Sequence, residues 1–274
     1  MPLDPHREAN RLNWEDRVPI HLKSQEYEDF KSDPGKLSRV VEFDRTELGD
    51  VQGKSLLHLQ CHIGRDTLSW AKLGATVTGV DFSPRAIKAA GRLSEASGVP
   101  GRFIESELYD APTVLNEEFD IVYTGVGAIC WLPDIRRWAD VVAGFLKPGG
   151  VFYIREGHPV LWSLDDERED EALVIGFPYF ETSEPMRFDD EETTYEGDGS
   201  KLEHKTIYTW NHGLGEIVSA LIDVGLRIVS LKEYRFCDWQ ALPTMQQGDD
   251  GHWRLPHNNE RLPLMYSLRA VKNE

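Results

Sequence analysis

The sequence predicts an α/β fold organised around a parallel sheet, and three observations predict it. The run Ser55-Leu56-Leu57-His58-Leu59 is a buried-strand pattern that empties into the short loop Gln60-Cys61-His62-Ile63-Gly64 and then a helical stretch over 65–73. A second apolar run over 75–80 ends on Asp81 and is followed by Ser83-Pro84, a helix N-cap with a first-turn proline. Strand-like and helix-like segments then keep alternating to about residue 160.

The elements follow in order. Residues 1–50 are polar, punctuated by proline and studded with Trp14, Tyr27, Phe30 and Phe43, which suits short helices packing over other structure. Strands are expected at 56–59 and 76–80, with a helix from Ser83-Pro84 to Ser97. A short third strand falls at 101–105, and Phe119-Asp120-Ile121-Val122-Tyr123-Thr124 is apolar enough for a central parallel strand. A helix over 135–146 is stopped by Lys147-Pro148-Gly149-Gly150, and the fifth strand covers 151–156. Residues 161–205 break the rhythm. Acids crowd there (Asp165, Asp166, Glu167, Glu169, Asp170, Glu171, then Asp189, Asp190, Glu191, Glu192), yet Phe177, Tyr179, Phe180, Met186 and Phe188 lie between them. So many aromatics argue against disorder and for an insertion folded over a pocket, as a small pair of hairpins. The pattern resumes with a helix over 214–224 closed by Gly225, a strand at 226–233 and a last strand near 265–271. The chain thus divides into an N-terminal segment (1–50), a core (51–160), an insertion (161–205) and a completion of the same domain (206–274).

With 274 residues, 40% of them hydrophobic, the chain supports a large core. Its formal net charge of −17 repels phosphate backbones and anionic lipid, and no cluster of Lys and Arg offsets that. Nucleic acid and membrane are excluded as expected partners, and small molecules are favoured. Cys61, Cys130 and Cys237 are scattered, odd in number and free of any CxxC pairing, as suits reduced thiols in a cytosol. The N-terminus has no apolar signal-peptide core, and no apolar run approaches the ~20 residues of a spanning helix. The expected location is the cytoplasm; the oligomeric state is not specified by the sequence.

Strand, loop, helix, strand, acid is half of a mononucleotide-type βαβ site, in which the acid takes the two hydroxyls of a ribose. Asp81 is that acid, although it also suits a cap for the helix that begins after Ser83. A nucleoside-containing cofactor is therefore expected.

These residues resemble those of a class I S-adenosylmethionine (SAM)-dependent methyltransferase. Leu57-His58-Leu59-Gln60-Cys61-His62-Ile63-Gly64 stands in the place of that family's glycine-rich first motif. Val80-Asp81-Phe82-Ser83 is similar to its second, acidic motif. Phe119-Asp120-Ile121-Val122, a helix, and then Leu146-Lys147-Pro148-Gly149-Gly150-Val151 match its fourth strand and the turn into the fifth. Each is weak alone; together, in order and at family-like spacing, they are specific. The resemblance implies a Rossmann-like, seven-stranded, mostly parallel sheet with helices on both faces and an antiparallel last strand. It implies SAM as cofactor, Asp81 on the ribose, Phe82 against adenine, Glu107 accepting from the adenine amine with the Leu108 amide nearby, and Thr124 and Gly125 bordering the methionine part. It also implies an N-terminal aromatic lid, for which Trp14, with Arg17 beside it, is the candidate, since an aromatic face attracts a sulfonium.

One departure stands out. The first two glycines of the family's loop are Gln60 and His62 here, its usual acid is His58, and only Gly64 survives. Glycine is wanted where backbone takes positive φ or approaches a ligand, so the loop is either reshaped or contributes side-chain contacts. Gln60 or His62 is then a candidate partner for the carboxylate or ammonium of the methionine moiety.

Methyl transfer is a direct displacement that positioning and exclusion of water can largely carry; a base is needed only for a protonated nucleophile. By position, the candidates are His158 and Glu156 after the fifth strand and His212 before the late helix, each with a structural role as the plainer reading. Trp131, Tyr179 and Tyr195 are candidates for lining the acceptor pocket. No metal is expected, because Asp134 and Asp140 lack a third ligand. The expected reaction is methyl transfer to O, N or C of a small-molecule acceptor, releasing S-adenosylhomocysteine. The rivals are a non-catalytic SAM-binding protein and an NAD-dependent oxidoreductase, the latter disfavoured by the missing GxGxxG.

Overall fold

A computed structural model describes residues 3–189, 193–196, 198–257 and 259–274. The N-terminal segment is helical. Asp4 caps α1 (Pro5–His21), its carboxylate accepting from the His6 and Arg7 amides, with Pro5 in the first turn. Ser24 and Ser38 cap α2 (Gln25–Ser32) and α3 (Arg39–Leu48) in the same way.

From residue 55 the alternation holds: β1 (Ser55–Leu59), α4 (Arg65–Lys72), β2 (Thr76–Asp81), α5 (Pro84–Ser97), β3 (Arg102–Glu105), α6 (Ala111–Val114), β4 (Phe119–Thr124) and α7 (Ile135–Phe145). Ser83 caps α5 as the sequence predicts, accepting from the Ala86 amide. The fifth strand, β5 (Leu146–Gly157), begins earlier than expected, because Leu146 already pairs with Phe119 before the register shifts and Val151 meets Ile121. After the short α8 (Pro159–Trp162) come β6 (Met186–Phe188), β7 (Ile207–Thr209), α9 (Leu214–Asp223), β8 (Leu226–Tyr234), β9 (Gln246–Gln247), β10 (Trp253–Arg254) and β11 (Met265–Lys272).

The main sheet has seven strands in the order β3-β2-β1-β4-β5-β11-β8. Strands β1 to β5 run parallel, and β11 runs antiparallel to both β5 and β8. The chain winds outward from β1 in one direction through β2 and β3, and in the other through β4 and β5. That reversal opens a crevice beyond the carboxyl ends of β1 and β4, where Leu59 is paired with both Val80 and Thr124.

Alternation along β1 sets the two faces. Leu57 and Leu59 join Val122, Phe152, Trp138, Phe145, Ile217 and Leu221 under α7 and α9, whereas Leu56 faces Val41, Trp70, Ile121, Tyr123 and Tyr153 under α3 and α4. Each such side chain, fully buried, contributes about 1.5–3 kcal/mol. A polar knot pins α3 to the second face: buried Arg155 donates through Nε to Asp44 Oδ1 (2.5 Å), and Tyr123 donates to Asp44 Oδ2 (2.6 Å). Arg155 Nη1 also reaches Asp238 (2.5 Å), joining the C-terminal region to the same knot.

The insertion differs from expectation. Among the described residues one antiparallel pair forms, β6 with β7, and β7 lies beyond residue 205; a bridge between Leu164 and Ile175 stands where a second hairpin was expected. Helix α1 packs against β7: Asn10 bonds both the carbonyl and the amide of Tyr208, at 2.7 and 2.8 Å. Of the predicted acidic tip, Asp190, Glu191 and Glu192 lie outside the described residues. Among the described residues no helix is long and apolar enough to cross a membrane.

Candidate active site

At the carboxyl edge of β1, β2 and β4 lies a cleft of about 1120 Å³, open mouth included. Its floor is the loop 59–63, Asp81 and Phe82, Ser106 to Leu108, and the loop Gly125 to Ala128. Its roof is Arg7, Asn10 and Trp14 of α1, with Tyr195 and Glu196 of the insertion.

The loop after β1 keeps a glycine-type path without the glycines. Gln60, His62 and Gly64 all take positive φ, at 60°, 48° and 76°. The first two cost about 1–3 kcal/mol each as non-glycine residues, so the surroundings must hold them. They do. The Cys61 amide donates to the Val80 carbonyl (2.9 Å), the His62 amide to Asp81 Oδ2 (2.8 Å), and Gln60 Nε2 to the Ala128 carbonyl (2.9 Å). Gln60 Oε1 is buried and unpartnered among the described residues. Gly64 plays another part than expected: it does not line the cleft, and a Cβ there would stand 2.7 Å from Ala90 Cβ and 2.8 Å from the Phe103 ring. It is a packing glycine between α4, α5 and β3.

Asp81, at the tip of β2, accepts from the His62 amide through one oxygen and from the Ser83 amide through the other (2.9 Å). Burial raises its pKa to about 6 against the lowering effect of those amides. Asp81 lines the cleft at this point. Phe82 and Leu108 line the same wall. Glu107 is more engaged than the sequence suggests: Oε1 pairs with Arg7 Nη1 (2.8 Å) and Oε2 accepts from the Tyr109 amide (2.7 Å). Gly125 lines the cleft, but Thr124 does not; it is buried behind it, its hydroxyl unpartnered among the described residues.

Trp14 stands edge-on to Trp131 (5.5 Å) and to His62 (5.0 Å) at the roof, with the Arg17 guanidinium 4.9 Å from its ring centre. Tyr195 reaches the cleft as well, whereas Tyr179 does not; its hydroxyl accepts from the Leu214 amide (3.1 Å) at the start of α9.

None of the three candidate bases lines the cleft. Glu156 accepts from the amides of Gly127 (2.7 Å), Ala128 (2.7 Å), Ile129 (3.3 Å) and Gly157 (2.8 Å), so its lone pairs are used to fix the loop after β4. His158 caps α8 through Nδ1, which accepts from the Val160 amide (3.1 Å), and its Nε2 faces Glu233 (3.0 Å). His212 presents Nε2 to the carbonyls of Ile129 (3.1 Å) and Leu132 (2.9 Å), which requires a proton there, and Nδ1 to Glu181 (2.8 Å). All three direct their polar atoms to partners within the fold. The strand ends were legible in the sequence; which way their side chains turned was not.

The sequence reading missed Arg7, Asn10, Asp66, Arg65 and Glu196 at the cleft, and His21 just behind it. Asp66 and Arg65 follow Gly64 directly, so the loop–helix junction was a usable signal; Arg7, Asn10 and His21 had none. Among the described residues no group of three His, Cys, Asp or Glu is placed to hold a metal.

Residues 57–152 match the family model described as a methyltransferase domain. A ubiquinone biosynthesis O-methyltransferase of Methylobacterium nodulans is 29% identical over 103 residues, covering 38% of this chain and 41% of that protein. A methyltransferase of Synechocystis whose function is uncharacterised is 33% identical over 115 residues, 40% of this chain and 50% of that one. The chain thus aligns with about two-fifths to one-half of the length of these relatives. The solved SAM-dependent methyltransferase of Mesorhizobium loti shares the fold at 20% identity, with a TM-score of 0.56 over 83% of this chain and 95% of its own. The family match makes residues 57–152 a methyltransferase domain, and its strand order is that of the fold shared with the solved SAM-dependent methyltransferases.

Proposed function

We propose that the chain transfers a methyl group from SAM to O, N or C of a small-molecule acceptor, releasing S-adenosylhomocysteine. One observation carries the reading: a single cleft presents, in sequence along its floor, groups suited to every part of that cofactor. Asp81 offers carboxylate oxygens to ribose hydroxyls, Phe82 and Leu108 offer apolar surface to adenine, and Glu107 stands beside them. Gln60 Oε1, a buried acceptor with no partner among the described residues and an amide orientation fixed by the Ala128 carbonyl, suits the ammonium of the methionine end.

Gly125 to Ala128 then border the place of the transferred methyl. Glu156 acts through that loop by holding its amides. Trp14 and Trp131 supply electron-rich rings at the roof, favourable to a sulfonium and to exclusion of water. With His158, His212 and Glu156 committed to structure, approximation and desolvation carry the rate for an acceptor that is already nucleophilic. The scattered free thiols and the acidic surface support a cytoplasmic setting and a partner other than nucleic acid.

Calorimetric titration with SAM, with S-adenosylhomocysteine and with NAD tests the reading. Micromolar binding of the first two, about −8 kcal/mol, with none of NAD, is the expected result. Binding of NAD alone would replace methyl transfer by hydride transfer, and SAM binding without turnover across an acceptor panel would favour a non-catalytic binder.

A further inference from the structure

Among the described residues, one carboxylate of the cleft has no counter-charge. Four of the described acids line the cleft: Asp66, Asp81, Glu107 and Glu196. Asp81 accepts from two backbone amides, Glu107 pairs with Arg7, and Glu196 pairs with Arg65 Nη1 (2.6 Å). Arg65 turns its second terminal nitrogen to Glu26 (3.3 Å). Asp66, in the first turn of α4, has neither a hydrogen bond to its carboxylate nor an ion-pair partner among the described residues. A first-turn acid suits the helix dipole whichever way it points, and this one lines the cleft.

A second polar atom converges on the same corner. A Cβ built on Gly125 would stand 3.3 Å from His58 Nε2 and 3.7 Å from Asp66 Oδ2. Glycine leaves the gap between them open, at the edge of the place proposed for the transferred methyl. His58 Nδ1 is engaged with Thr67 Oγ1 (2.9 Å), and its Nε2 has no bonding partner among the described residues. Burial lowers the His58 pKa to about 4 against the opposing pull of Asp66, so the ring is uncharged at neutral pH and does not balance the carboxylate. Trp131 and Tyr195 line the same cleft, and aromatic rings favour a cation. A carboxylate facing such a site is matched when a ligand brings the missing charge. A protonated amine brings it, and is also a methyl acceptor once its proton is removed.

We infer that the acceptor is a small primary or secondary amine, held by Asp66 as its ammonium ion and deprotonated by Asp66 before methyl transfer. The inference deepens the SAM reading of the cleft and rests on it. The step balances without a further reagent. An ammonium proton moves to Asp66 Oδ2 and leaves the nitrogen its lone pair; exclusion of water favours this neutral acid–amine pair over the ion pair. The lone pair forms the N–C bond as the methyl carbon leaves sulfur, whose bonding pair stays in S-adenosylhomocysteine. The methylated nitrogen then carries the positive charge, and Asp66 gives its proton to water. With Glu156, His158 and His212 turned into the fold, Asp66 is the acid at hand beside Gly125.

The test is methyl transfer by the full chain from isotope-labelled SAM to three matched sets of probes. These are butylamine and phenethylamine, butanol and phenethyl alcohol, and butyrate and phenylacetate, with S-adenosylhomocysteine binding measured by calorimetry alongside. N-methylated product from the amines and none from the other sets is expected. Asp66→Asn keeps the shape without the charge, and should lower kcat/KM for the amines about 100-fold or more while S-adenosylhomocysteine affinity stays within about threefold. Asp66→Glu should restore part of that loss, and thermal denaturation checks that both variants fold. The preference of the wild-type protein needs no variant, so a folding defect cannot hide the answer. Transfer to alcohols or acids instead of amines, or to no probe although S-adenosylhomocysteine binds, overturns this inference alone. So does an Asp66→Asn variant that folds and loses S-adenosylhomocysteine affinity in step with turnover, which would give Asp66 to the cofactor. Failure of the wild-type protein to bind S-adenosylhomocysteine overturns the cofactor reading and this inference with it.

Discussion

Arg7 Nη1 and Glu107 Oε1 stand 2.8 Å apart, joining the first helix to the acid that follows β3 in the wall of the cleft. The same helix meets the neighbouring floor through Glu15, which bonds the Ser83 hydroxyl and the Arg85 amide (3.0 Å), and meets the loop after β1 through His21. Three latches on one helix each land beside a different part of the site. Helix α1 is thereby a roof whose position depends on the floor.

Arg7→Ala should loosen the start of α1 without unfolding the domain. Loss of one part-buried ion pair is worth about 1 kcal/mol, which should speed amide exchange in the first turns of α1 about fivefold. Hydrogen-exchange mass spectrometry of the N-terminal peptides checks this, with a near-unchanged melting temperature as the companion result.

On the proposed SAM reading, Asp81 should make cofactor binding depend on pH. Its pKa is raised to about 6 by burial, so the fold favours the neutral acid and loses stability as pH rises from about 4 toward 6. Ribose hydroxyls need the ionised form as acceptor. At pH 5 about one molecule in eleven carries it, so S-adenosylhomocysteine should bind about tenfold more weakly there than at pH 7.5. Asp81→Asn should flatten that dependence and weaken binding at pH 7.5 by about 10- to 100-fold. Titrations at the two pH values, on both proteins, decide it.

Glu156→Ala strips the acceptor from four backbone amides, three of them in the loop after β4. Burial already pushes this carboxyl up, and the amides that oppose the shift are the groups that would be orphaned. We expect a loss of about 2–4 kcal/mol in denaturant unfolding, together with weaker cofactor binding because Gly127 and Ala128 move.

His212→Ala should behave differently. Its imidazole bridges two carbonyls and Glu181 away from the cleft, so stability should fall by about 1–3 kcal/mol while S-adenosylhomocysteine affinity stays within about threefold. A large affinity loss at unchanged stability would return His212 to the site.

Asp44→Ala should be the most damaging of the series. It leaves Arg155 buried with half its counter-charge and removes the acceptor of the Tyr123 hydroxyl, at a cost of about 3–5 kcal/mol. Poor soluble yield, or a melting temperature lowered by more than about 10 °C, is the expected observation.

Much of this was legible beforehand because it depends on local chemistry. The apolar stretch 56–59, the Ser83-Pro84 start and the Gly225 stop are decided within a few residues, and the structure follows them closely. Asp81 was legible for the same reason: an acid at a strand tip on the carboxyl edge is placed by the strand itself. The start of β5 was misplaced because Leu146 finds Phe119 across a register shift, a pairing that no local pattern encodes.

The sequence by itself thus determined the αβ alternation, the cleft edge and the position of its acid, since period, caps and strand ends are short-range properties. Only the tertiary structure decided that Gln60 and His62 keep a glycine-type loop, because the bonds that hold them come from Ala128, Asp81 and His21, far away in the chain. It likewise turned Glu156, His158 and His212 away from the cleft, toward backbone groups whose hydrogen bonds had to be satisfied once buried. A side chain's chemistry is written in its type, but its partner is chosen by packing.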